Sequence, residues 1–258
     1  MTQILGFAGK KQSGKNTACN YIVALKIAEL GISKSTRLSE RGEIEVTDIF
    51  GEKKDGKEWF EFSEKNLNVK KLFDDSLGSF IKIYGLADTL KDLCIDILGL
   101  EYGQAYGTDE QKNSPTELCW GDIPYRDARN NIKGKKMTAR EVLQYVGTDI
   151  FRRLDPDIWI KSLLRKIKKD NPEVALVCDV RFENEIIKLQ EAGGFIVGLT
   201  RDPYEKSDTH SSEKEIEGCL NLCDAVVDNK DITVAKQIKM IGDAISHLPN
   251  VVPIMEQQ

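Results

Sequence analysis

Three lysines, two glycines and two hydroxyl residues at fixed spacing behind an apolar run make up the part of this chain best suited to phosphate chemistry. Residues 9–17 read Gly-Lys-Lys-Gln-Ser-Gly-Lys-Asn-Thr, directly after Ile4-Leu5-Gly6-Phe7-Ala8. A short buried strand, a glycine-rich turn and a helix opening at Thr17-Ala18 let backbone N–H groups encircle a phosphate. Gly9 and Gly14 permit the tight turn, and Lys15 carries a mobile charge toward the β- and γ-phosphates. Asn16 stands where Ser or Thr is usual, and the hydroxyl follows one place later at Thr17. The segment predicts binding of a nucleoside triphosphate.

Moving a phosphoryl group needs alignment and cancellation of negative charge more than covalent work from the protein. Lys15, Arg140, Arg152 or Arg153, Arg181 and Arg201 are the candidates for that cancellation. Asp179 ends an apolar strand, where it can orient magnesium or a nucleophile, or else cap the next helix. Arg140, Gln144, Thr148 and Arg152 recur every four residues and so share one helix face. Gly147 leaves room between Gln144 and Thr148, which favours a small-molecule contact over a merely solvated surface. Trp159 can stack on a base or belong to the core.

Elements that could position these residues are legible in outline. Residues 15–32 read as a first helix. Ile44–Phe50 and Trp59–Phe62 alternate at period two around a polar turn, which predicts a β-hairpin insert within 33–78. Ser79–Tyr84 reads as a strand, Thr89–Leu98 as a helix, and 99–137 as loop-dominated. Thr138 and Glu141 form a capping box for a helix with Ala139, Val142, Leu143, Val146 and Ile150 on its buried stripe. Helix Asp157–Ile167, strand Glu173–Cys178, helix Glu183–Ala192 and strand Phe195–Leu199 follow. A polar stretch over 201–218, a strand at Cys223–Asp228 and a helix at Ile232–Ile245 complete the series. Strands alternating with helices predict an α/β fold with a mostly parallel sheet and right-handed crossovers. Ligands of such sheets bind beyond the carboxyl ends of the strands, so Gly9–Lys15, Asp88, Asp179 and Arg201 are expected to face one crevice.

Composition narrows the function classes. The 258 residues suit one large domain with an insert, and a net charge of −5 argues against a dedicated nucleic-acid binder. No run approaches the ~18 apolar residues of a membrane span, and no basic-then-apolar leader opens the chain. A cytoplasmic protein is expected, with its thiols reduced. Six cysteines and two histidines show no metal-ligand spacing, and Cys219 and Cys223 fit the packing of one helical turn.

Four blocks taken in order resemble the bacteriophage deoxynucleoside monophosphate kinases. They are the loop at 9–17, Thr-Ala-Arg-Glu-Val-Leu-Gln-Tyr-Val-Gly-Thr at 138–148, Asp-Val-Arg-Phe-Glu-Asn-Glu at 179–185, and Asp208, His210, Ser212 and Glu213. The resemblance spans roughly 5–20 and 79–215. It implies one P-loop kinase domain over 1–258, with a lid at 201–218, that passes the γ-phosphate of ATP to a deoxynucleoside monophosphate. By that likeness Gly9, Lys11, Ser13, Gly14, Lys15, Asn16 and Thr17 hold ATP, with magnesium at Thr17 or Asn16. Arg140, Gln144, Gly147, Thr148, Trp159, Asp179, Arg181 and Glu185 fall on the deoxynucleotide side, and Lys15, Arg140, Asp179 and Arg181 are the catalytic set. The implied partners are small molecules, without nucleic acid or membrane, and a homodimer is compatible; a phage-encoded chain would work in the host cytoplasm. Asn16 departs from the Asp common in the family. Two other readings stay open: a kinase of another small molecule, such as phosphomevalonate, and a non-kinase NTPase. A motor would show a strand ending in Asp-Glu, whereas this one ends Cys178-Asp179-Val180.

Overall fold

A strand buried on both faces reads as an unbroken apolar run, and β1 (Gln3–Ala8) is such a strand, buried from Ile4 to Ala8. The computed structural model describes residues 2–49, 59–62, 76–122, 134–202, 218–248 and 250–251. They form two compact units, 1–85 with 164–258, and 86–163. In the first, β1 lies at the centre of a five-stranded sheet with β5 (Ile81–Tyr84), β8 (Val174–Val180), β9 (Phe195–Leu199) and β10 (Ala225–Val227). The order is β10-β9-β1-β8-β5 and every neighbouring pair is parallel, as the alternation of elements predicts. The chain fills the β8–β5 side of β1 and then crosses to β9 and β10, so β1 ends at a topological switch point.

Helix α1 (Lys15–Glu29) covers this sheet with Ala18, Cys19, Ile22, Val23 and Ile27, all buried against Leu5, Phe7, Leu176 and Val197 in one core. Each fully buried Ile, Leu or Val there contributes about 1.5–3 kcal/mol. The packing also corrects the expectation of unpaired thiols. Cys19 on α1 and Cys178 on β8, 159 residues apart, are joined by a disulfide with their Cα atoms 6.4 Å apart. No spacing rule announces a pair brought together by a helix lying on a strand.

The expected hairpin is a three-stranded antiparallel sheet, because β2 (Thr36–Leu38) precedes β3 (Ile44–Val46) and β4 (Phe60–Glu61). Ile44, Val46 and Phe62 point into the α1 core, while outward Glu45 pairs with Arg37 at 2.8 Å. Residues 50–58 and 63–75 of that region, and 203–217 of the expected lid, lie outside the described residues.

The second unit contains α2 (Asp88–Leu98), α3 (Tyr102–Tyr106), α4 (Asp109–Lys112), β6 (Pro115–Cys119), β7 (Lys136–Thr138) and α5 (Ala139–Gln144). The 99–137 stretch is thus richer in structure than its Gly, Asn and Pro content suggested. Thr138 and Glu141 make the expected capping box: the Thr138 hydroxyl accepts the Glu141 N–H, and Glu141 accepts the Thr138 N–H. The long helix predicted beyond it does not continue. After α5 the chain widens into a π-helix over Tyr145–Phe151 before α6 (Arg152–Leu154). A π turn takes an extra residue, which rotates everything after it off the original face. Ile150, predicted on the buried stripe, is therefore 41% exposed, and the four-residue series from Arg140 to Arg152 is not one face. Helix α7 (Ile158–Asp170) then carries the chain from the second unit back to the first.

The capping box gives the first prediction. Thr138→Ala should cost about 1 kcal/mol of stability in urea unfolding. Glu141 is held below its ordinary 4.5 chiefly by the Thr138 backbone N–H, so its contribution is complete above that value and is lost as pH falls through the lowered one. The stability gap between wild type and Glu141→Gln should be present at pH 7 and close in acid.

Candidate active site

The loop after β1 turns twice through conformations that only glycine takes easily. Gly9 has φ 153° and Gly14 has φ 96°. A side chain would also collide: a Cβ on Gly9 would lie 2.8 Å from the Leu199 carbonyl, and one on Gly14 2.7 Å from the Gln237 amide. Inside the loop Lys15 is 7% exposed, and its ammonium donates to the carbonyls of Gly9 (2.6 Å) and Lys10 and to the Ser13 hydroxyl at 3.4 Å. Ser13 is fully buried, Lys11 half-buried, and Asn16 exposed in the first turn of α1. Thr17 is half-buried beside Gly42, the turn between β2 and β3, where an added Cβ would come within 2.9 Å of its own Cβ.

Asp179 lies beside the loop's root. The β1–β8 register runs Gly6↔Val177 and then Ala8↔Val180, so β8 carries one extra residue, a bulge at Cys178–Asp179. Bulges bend a strand and re-aim a side chain, and they gather near active sites. Asp179 is half-buried at this bulge, which settles its alternative reading, because the N-cap of α8 (Glu183–Glu191) is Phe182. Glu185 is 2% exposed, and its carboxylate accepts the backbone N–H of Arg181 at 2.9 Å and of Phe182 at 3.1 Å. It fixes the turn that carries half-buried Arg181. After β9, Arg201 is exposed and Asp202 pairs with Lys10 of the loop at 2.6 Å. The loop, Asp179 and Arg201 thus all belong to the carboxyl edge of the parallel sheet. Asp88, expected with them, opens α2 in the second unit and pairs with Lys91 at 3.3 Å.

Within the second unit Arg140 is half-buried, its guanidinium bonded to Asp109 at 2.8 Å and to Asn113 at 3.0 Å. Gln144 and Thr148 are exposed, as is Arg153, while Arg152 is half-buried. Gly147 and Trp159 belong to the packing. A Cβ on Gly147 would lie 2.7 Å from a Leu90 methyl. Trp159 is 6% exposed, packs on Phe151, and donates its indole N–H to the Gly147 carbonyl at 3.1 Å. That bond engages a carbonyl of the π-helix.

Two residues of the site escaped the sequence. Asn229, just after β10, and Gln237, on α9 (Val234–Ile245), are 1% and 3% exposed. Asn229 Nδ2 donates to the Ser13 carbonyl at 2.7 Å, and Gln237 Nε2 to the Gly14 carbonyl at 3.0 Å. Gln237 is a polar residue on the apolar side of an amphipathic helix, and that was the one available signal. The remaining thiols are of another kind: burial pushes Cys94 to about 11 and Cys223 to about 12, so both are inert packing groups.

A glycine-rich anion loop at the switch point of a parallel sheet, with a lysine inside it and a carboxylate on the adjacent strand, defines a P-loop phosphotransferase. Comparison supplies the family. Residues 81–239 match the model of the deoxynucleotide monophosphate kinases. A protein of Acanthamoeba polyphaga mimivirus, provisionally named a deoxynucleotide monophosphate kinase, is 32% identical over 174 residues, covering 61% of this chain and 79% of that protein. The deoxynucleoside-5'-monophosphate kinase of Escherichia phage T5 is 45% identical over 56 residues, 21% of this chain and 22% of that one. The chain belongs to the deoxynucleotide monophosphate kinase family, and it is an ATP-dependent nucleotide kinase that converts a deoxynucleoside monophosphate to the diphosphate. The match runs through 99–137, which carried none of the recognised motifs.

Glu185 generates the second prediction. Glu185→Ala removes two charge-assisted bonds to a half-buried turn and should cost on the order of 3 kcal/mol in urea unfolding. Turnover should fall with it, because the turn carries Arg181. Glu185→Asp, one methylene short, should lie between the two in both measurements.

Proposed function

We propose that the two substrates are handled by separate sets of residues, with Gly9, Lys11, Ser13, Gly14, Lys15, Asn16 and Thr17 on ATP. Arg140, Gln144, Thr148, Asp179 and Arg181 serve the deoxynucleoside monophosphate, and Gly147, Trp159 and Glu185 act on that side by holding the others. The observation that carries this reading is the Gly9–Thr17 loop at the end of β1, with the Lys15 ammonium at its carbonyls. Lys15 follows the shifting charge on the γ-phosphate as it leaves ATP. Arg140 and Arg181 neutralise the acceptor's phosphate, and Asp179 orients the attacking oxygen. A net charge of −5 supports small-molecule partners over nucleic acid, and the use of ATP supports a cytoplasmic enzyme.

Magnesium fits the donor set. The ion takes one or two protein oxygens and otherwise binds phosphate and water, so it needs no cluster, and none of three or more His, Cys, Asp or Glu occurs among the described residues. Thr17 Oγ1 would hold it, with the Asn16 side-chain carbonyl or Asp179 as the second oxygen. When bound it neutralises charge across the β- and γ-phosphates.

A coupled assay over the four deoxynucleoside monophosphates and their ribose counterparts tests the acceptor. Lys15→Met should lower turnover by at least ~10²-fold with the circular dichroism unchanged, as losing one preorganised donor to a transition state does. Arg140→Ala should raise KM for the acceptor and leave KM for ATP in place. The reverse split for Arg140 would exchange the two sides.

Magnesium titration tests the metal contact. Asn16→Asp should stay active and need less magnesium for half-maximal rate, because a carboxylate holds the ion better than an amide carbonyl. Thr17→Val, nearly the same shape without the hydroxyl, should need more or lose turnover. A Thr17→Val enzyme titrating like wild type would move the contact to Asp179.

A further inference from the structure

Asn229 and Gln237 have no place among the substrate residues, yet both are polar, almost fully buried and spent on the phosphate loop. A trans peptide unit is planar, with its C=O and N–H pointing in opposite directions. Fixing the carbonyl of one residue therefore fixes the N–H of the next. The Asn229 amide holds the Ser13 carbonyl at 2.7 Å, which aims the Gly14 N–H the other way. The Gln237 amide holds the Gly14 carbonyl at 3.0 Å, which does the same for the Lys15 N–H. Asn229 Nδ2 also donates to Gln237 Oε1 at 3.2 Å, and Asn229 Oδ1 accepts the Arg201 N–H at 2.8 Å. One asparagine thus ties the loop, α9 and the chain leaving β9 into a single hydrogen-bonded frame.

We propose that Asn229, assisted by Gln237, is a positioning residue for the donor nucleotide, setting the direction of the Gly14 and Lys15 N–H groups that meet the ATP phosphates. The inference rests on the reading of Gly9–Thr17 as the ATP loop. Asparagine suits the task because it donates to the loop and accepts from Arg201 at once. An aspartate in its place would keep the acceptor but set a carboxylate oxygen against the Ser13 carbonyl, so Asn229→Asp should turn or release that peptide. Protonation returns a donor. The charged groups around the position are Asp228, Lys230 and Asp231 on its own turn, Lys10 and Lys15 on the loop, Arg201 and Asp202 after β9, and Lys236 next to Gln237 on α9.

The test compares full-length wild type, Asn229→Asp, Asn229→Leu, Gln237→Glu and Lys15→Met by ATP and acceptor kinetics from pH 5 to pH 8, with the melting temperature of each. Asn229→Asp and Gln237→Glu should raise KM for ATP by about tenfold or more at pH 8, with KM for the acceptor within twofold of wild type. The defect of Asn229→Asp should shrink as pH falls and its carboxyl regains a proton. Asn229→Leu, uncharged and close in size, should show the ATP defect at every pH. A normal KM for ATP in Asn229→Leu would reduce the effect of the aspartate to plain charge repulsion and overturn the proposal. Equal rises in both Michaelis constants, following the loss of melting temperature, would overturn it too. Lys15→Met separates the two levels: an active Lys15→Met removes the ATP-loop reading itself, whereas an inactive one beside a wild-type-like Asn229→Leu removes this inference alone.

Discussion

A loop that turns its N–H groups toward an anion must find partners for the carbonyls on its other side. Buried carbonyls without partners would cost about 1–3 kcal/mol each, and several lie between Gly9 and Gly14. Four of them have an answer from the protein. The Lys15 ammonium serves Gly9 and Lys10, Asn229 serves Ser13, and Gln237 joins the helical Ala18 N–H on Gly14. The loop is therefore shaped from behind before any phosphate reaches it, and catalysis by preorganised donors depends on such a frame. The parallel sheet serves it by setting β1 between β8 and β9, so that Asp179 and Arg201 come from the two flanking strands.

The second unit solves a different problem with related means. Its π-helix closes with the Arg152 N–H donating to the Gly147 carbonyl, and the Trp159 indole donates to that same carbonyl. π-Helical turns cluster at functional sites because they rotate the residues after them. Gln144, last in α5, and Thr148, inside the π turn, are both exposed. Arg140, paired with Asp109 and Asn113, is held in one orientation from α4 and the residue after it.

Contiguous features were readable in the chain and long-range ones were not. The loop at 9–17, the capping box at Thr138 and the strand at Phe195–Leu199 are local patterns, and each stands where the letters put it. Glu185 was legible as a site residue by resemblance, but its two backbone bonds appear only once the turn is folded. Asn229 lies 216 residues from Ser13, and Cys19 lies 159 from Cys178, beyond the reach of any spacing rule. The π-helix was missed for another reason. No proline marks Tyr145–Phe151, and the wide turn's contacts to Leu90 and Trp159 come from outside the segment.

The order of strands has a consequence for how the protein is made. β1 emerges from the ribosome before the other strands of its sheet, yet both its neighbours, β8 and β9, lie beyond residue 173, and β5 pairs with β8 rather than with β1. At roughly 5–20 residues per second, β1 waits on the order of ten to thirty seconds with both edges unpaired. The unit over 86–163 is continuous in sequence and can close its own core within that interval. The phosphate loop comes last of all, since its frame is complete only when Asn229 and Gln237 have been translated. A nascent chain stalled before them has already displayed Lys15 but has no side-chain amide to hold the Ser13 and Gly14 carbonyls.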